Sequence, residues 1–61
     1  MKRSKVTVVW KEGGLSIYPD ITETVVSDGF LWMKQDCLPI QTYGVNLSLV
    51  SIIETEETTV H

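Results

Sequence analysis

Histidine is the side chain best suited to moving protons near neutral pH, and this sequence has one, His61, at its final position. A nucleophile held by a neighbouring base therefore has no candidate pair. Cys37 is the only cysteine. With no adjacent base to draw off its proton, it is expected to act as a small buried hydrophobe rather than a reactive thiol. One cysteine and one histidine cannot supply the about four ligands of a structural zinc site, nor a disulfide within the chain. No metal and no cofactor is expected. Asp20, Glu23, Asp28 and Asp36 sit in or beside turn-forming segments, where short carboxylates bond local backbone, and so read as turn formers rather than as an acid/base pair. Gly13-Gly14 has neither the lysine nor the following helix of a phosphate-binding loop, which leaves it a turn. An enzyme is the least favoured class.

Aromatic residues are the remaining chemistry. Tyr18, Phe30, Trp32 and Tyr43 are of the kind that stacks bases on small barrels. Charge opposes that use: five basic residues against eight acidic ones give a net charge of −3, and Lys2, Arg3, Lys5 and Lys11 all lie near the start. A dedicated nucleic-acid binder would carry a basic stripe along one face, so single-stranded nucleic acid is a minor alternative. A second alternative is a small-molecule or nucleotide-binding protein with pockets between subunits. There Trp10 and Tyr43 would supply the stacking platform, and Lys11, Lys34 and Arg3 the charge for phosphate.

A chain of 61 residues holds one core at most. Chains of this size bury only about 60% of the surface exposed on unfolding, so the core calls for a supplement. With disulfide and zinc removed, oligomerisation remains. The basic start and the short apolar run Val6–Trp10 do not make an export signal, and no apolar stretch nears the ~18 residues of a membrane span. A reducing, cytoplasmic setting without a membrane partner is the expectation.

The elements that would carry these residues are strands. Val6, Val8 and Trp10 share one face of Lys5–Lys11 at period two; Glu12-Gly13-Gly14 turns, and Leu15–Tyr18 alternates again until Pro19-Asp20 stops it. Ile21–Val26 is rich in β-branched residues, Ser27-Asp28-Gly29 is a turn signal, and Phe30–Lys34 is the partner of a second hairpin. Gln35–Pro39 reads as a loop. In Ile40–Glu54, Gly44 marks a turn or bulge; Leu47 and Leu49 share one face, Val50 and Ile52 the other. A bulge or one short helical turn near 46–50 explains that change of phase, and a helix over Leu47–Ile53 is the competing reading. The expected architecture is all-β: a small five-stranded antiparallel meander forming an open barrel, SH3-like or OB-like in architecture. Residues 1–4 would be a basic arm, 5–54 the domain and 55–61 a frayed acidic tail.

One feature asks for a partner. A sheet with one wet face alternates apolar and polar, yet Phe30-Leu31-Trp32-Met33 is apolar at every position. Whichever pair enters the core, the other is left outside. The interaction patch is expected around Tyr18, Phe30, Trp32 and Val9, and a homo-oligomer or a protein partner is expected to cover it. The function that fits is a non-catalytic interaction module: an adaptor, regulator or inhibitor, of the sort encoded by bacteria and their phages.

Overall fold

The computed structural model describes residues 2–36 and 39–59, with the side chains of 3–36 and 39–57. The expectations for Cys37 and His61 fall outside the described residues. Strand β1 spans Lys2–Trp10, β2 Leu15–Ser27, β3 Phe30–Gln35, β4 Gln41–Asn46 and β5 Val50–Thr59, with one 3₁₀ turn at Leu47–Leu49. All five strands form one antiparallel sheet in the order β4-β3-β2-β1-β5. β1 to β4 make a meander and β5 returns to β1, so β4 and β5 are the sheet's two edges. The open small-β architecture expected from the turn spacing is the one found.

The curled sheet encloses Val6 and Val8 of β1, Ile21 of β2, Leu31 and Met33 of β3 and Val45 of β4. Trp10, Tyr18, Tyr43, Leu47, Val50 and Ile53 pack around that centre. Parity on β3 is thereby settled: Leu31 and Met33 point inward, Phe30 and Trp32 outward. The hairpin from β2 to β3 fixes this. Its loop is Asp28-Gly29, both at positive φ (55° and 77°), as the tight turns that match strand twist require.

Pro19-Asp20 does not end a strand. It lies inside β2 as a bulge: Ser4 pairs with Ile21 and Val6 with Tyr18, leaving one residue of β1 opposite Pro19 and Asp20. A bulge tolerates a proline without an N–H, and aspartate tolerates the left-handed backbone seen at Asp20 (φ 56°). The corner is tied down by the Asp36 N–H donating to the Asp20 carbonyl at 3.0 Å, and by Gln35 Nε2 donating to the Pro19 carbonyl at 2.9 Å. β2 thus bends, pairing with β1 through its first half and with β3 through its second.

The supposed arm and tail are also corrected. β1 begins at Lys2 and β5 runs to Thr59, the two paired from Lys2↔Thr59 onward. Opposite charges favour that ladder, with Lys5 Nζ 3.4 Å from Glu56 Oε2. Near the start of β5 the helical alternative reduces to the single 3₁₀ turn, capped by Asn46 Oδ1, which accepts from the Ser48 N–H at 3.0 Å and the Ser48 hydroxyl at 2.8 Å. The phase also shifts differently from the expectation: Trp10 pairs with Val50 but Val9 with Ile52, so Ser51 is bulged. Val50 and Ile53 turn to the core and Ile52 faces out.

Candidate functional site

Directly opposed residues of paired strands share a face, so the outer surface can be read row by row. One row is Val25–Trp32–Gly44 across β2, β3 and β4; the next holds Ser27, Phe30 and Asn46, and the one on the other side Glu23, Lys34 and Thr42. Phe30 and Trp32 stack at 5.6 Å between centroids and 26° between planes. Trp32 is 43% exposed and Val25 52%. Gly44 is neither the turn nor the bulge expected of it. It sits mid-strand because the Trp32 ring lies over it: a Cβ there would be 2.6 Å from Trp32 Cζ3. A recess of about 200 Å³ lies beside the ring, lined by Glu23, Val25, Lys34 and Thr42 among others.

The other half of the sheet carries its own outward apolar row, Leu15–Val9–Ile52 across β2, β1 and β5, with Ile17 in the next row beside Thr7. Leu15, Ile17 and Ile52 are all more than half exposed. The four residues expected to form one patch are therefore divided. Phe30 and Trp32 are together. Val9 belongs to the second outward row, and Tyr18 is on the inner side, 5.1 Å from Tyr43 at 51°. Val25 and Gly44 belong to the site but were not expected there. Their signal was available in the alternation of Ile21–Val26 and in a glycine within a strand.

The alternative ligand platform is dispersed. Trp10 Nε1 donates to Ser16 Oγ at 3.0 Å, beside a recess of about 230 Å³ lined by Trp10, Glu12, Gly13 and Leu49, with Lys11 in the adjoining exposed turn. The Tyr43 hydroxyl lies 2.7 Å from Gln41 Oε1 and 3.0 Å from Gln35 Oε1, its single proton shared between two acceptors. Arg3 lies between two carboxylates, 2.5 Å from Asp36 and 3.9 Å from Asp20, where it ties the start of β1 to the β2 corner and the end of β3. Lys34 alone of the three cations stands beside an aromatic of the outer face. Among the described residues no group of three His, Cys, Asp or Glu side chains could hold a metal ion. No helix among them is long and apolar enough to cross a membrane.

The outer surface of β3 thus carries a stacked aromatic pair, an aliphatic neighbour, and polar neighbours in Glu23, Lys34 and Thr42. Compared with protein-family models, curated proteins and solved structures, this chain matches none.

Proposed function

We propose that this protein is a non-catalytic interaction module that associates with itself through the outer face of β3, and that works as an adaptor, regulator or inhibitor of a protein partner in a reducing cytoplasm. One observation carries the reading. Trp32 and Phe30 are stacked outside a sheet whose core is already filled from its other side. Aromatic rings held rigidly at the surface are the residues that most often anchor binding, since they bury large area with little loss of side-chain freedom. The two charges beside the aromatic pair, Glu23 and Lys34, are of opposite sign and lie directly across from each other, which leaves the pair itself free of charge.

The two recesses, about 200 and 230 Å³, are below the roughly 300 Å³ at which small-molecule sites usually begin. Together with the dispersal of Trp10, Tyr43 and Arg3, this gives less support to a nucleotide pocket. Nucleic acid gains little from an outer face where Lys34 is joined by Glu23.

The test is absolute mass by light scattering during size-exclusion chromatography over a hundredfold concentration range, for the natural chain and for Trp32→Asp. The natural chain is expected above monomer mass. Trp32→Asp is expected at monomer mass with an unchanged far-ultraviolet circular dichroism spectrum, because the residue is outside the core. A natural chain that stays monomeric at every concentration overturns self-association.

A further inference from the structure

β4 is an edge strand of six residues, Gln41–Asn46, without a single charge, whereas the other edge, β5, carries Glu54, Glu56 and Glu57. Natural sheets guard their edges with charge, and only one edge here is guarded. The direction of the free backbone groups on β4 follows from the ladder. Ser27 and Phe30 close the two-residue loop as a hydrogen-bonded pair, so Phe30 turns its N–H and C=O toward β2, and Leu31, Met33 and Gln35 turn theirs toward β4. The Gly29 carbonyl, one step earlier in the same alternation, accepts from the Leu47 N–H at 3.0 Å, as that assignment requires. Val45, Tyr43 and Gln41 are therefore bonded to β3, while Thr42, Gly44 and Asn46 direct their main-chain groups along the open edge.

These three positions are symmetric about Gly44. A two-fold axis through Gly44 sets Gly44 against Gly44 of a second copy and Thr42 against its Asn46, in both directions, so every outward main-chain group meets a partner. Gly44 adds no side chain on the outer face. The Trp32 rings, each lying over its own Gly44, then flank the seam and extend the apolar row from Val25 of one copy to Val25 of the other. The edge β5 offers no such route, because pairing it with itself brings glutamates together.

We infer that a second copy of this chain binds by antiparallel pairing of β4 with β4 about Gly44, joining the two sheets into one. The inference rests on the self-association proposed above but moves its contact to the β4 edge, with the Trp32 rings of the outer face beside the seam. Six paired residues make a small interface, so the dimer is expected to be weak and its population to depend on concentration.

The register is tested by charge across the seam, with sedimentation velocity on the full chain. Thr42→Lys with Asn46→Lys puts lysine opposite lysine twice and is expected to raise the dissociation constant at least tenfold. Thr42→Lys with Asn46→Glu puts lysine opposite glutamate and is expected to restore the dimer. Amide exchange supplies a readout that needs no variant: the N–H groups of Thr42, Gly44 and Asn46 slow with rising concentration, while those of Tyr43 and Val45 are protected throughout. If the double-lysine variant stays dimeric while Trp32→Asp falls apart, edge pairing is overturned and association through the outer face survives. A double-lysine variant that dissociates without rescue by the lysine–glutamate variant, a trimer or larger ring, or edge amides indifferent to concentration overturns the two-fold seam. A natural chain that is always monomeric removes both readings.

Discussion

The two faces of β3 are built from the same kind of residue and do opposite work. Leu31 and Met33 are buried, Met33 completely, while Trp32 keeps 43% of its surface and stacks on Phe30. The inner pair meets Val45 and Tyr43 of β4 within a closed set of neighbours. The outer pair meets Asn46 and Gly44, the latter leaving room for the Trp32 ring that lies over it. Hydrophobicity alone does not separate these roles; enclosure does. An apolar side chain surrounded on every side contributes to folding, and one covered on a single side is available to a partner.

Truncating one residue from each face separates the two roles. Met33→Ala is expected to cost about 2–5 kcal/mol, a loss that combines transfer and cavity terms. For a domain whose core supplies only a few kcal/mol in total, that leaves little folded protein at 37 °C. Trp32→Ala is expected to cost less than half as much. Urea titration followed by far-ultraviolet circular dichroism measures both at one concentration below the onset of association. Equal losses would mean that the outer ring belongs to the core.

A smaller effect lies between the faces. Gly44→Ala places a methyl group where the Trp32 ring now lies, so the ring must shift, at about 1–3 kcal/mol. The double variant with Trp32→Ala removes the obstacle, and a double-mutant cycle should show most of the cost gone. Tryptophan fluorescence should change in Gly44→Ala but stay the same if the ring is not seated there. Next comes the loop that sets which residues point inward. Gly29→Ala forces a side chain into a backbone at φ 77°, expected to cost about 1–2 kcal/mol with no change in association of the folded fraction.

Most of this frame was legible in the residues. Period-two alternation marked Val6, Val8 and Trp10 as one face, and Asp28-Gly29 marked the second hairpin, because both signals depend on near neighbours in the chain. What could not be read depended on distant strands. Pro19-Asp20 looks like a stop until Gln35 and Asp36 are known to hold it as a corner. Residues 55–59 look like a frayed acidic tail until β1 supplies a ladder and Lys5 a countercharge. The four residues expected in one patch are divided for the same reason. Phe30 and Trp32 are two apart on one strand, whereas Tyr18 follows the parity of Val6 to the inner side, and Val9 faces out from the other half of the sheet. Gly44 was singled out correctly and given the wrong task, since the ring above it comes from a neighbouring strand.

The smallest expected effect on stability concerns the two edges. Glu54, Glu56 and Glu57 are exposed on β5, and the contact of Glu56 with Lys5 is between side chains 73% and 47% exposed, a pair worth little in water. Replacing all three by threonine, a good strand former, should leave the urea midpoint nearly unchanged. The assembly should change. An unguarded β5 beside the apolar row of Leu15, Val9 and Ile52 presents a second pairing edge, so two edges per chain permit open-ended growth where one permits only a dimer. Light scattering should then detect species heavier than the natural assembly, growing with concentration. If the triple variant keeps the natural mass, charge is not what distinguishes the edges.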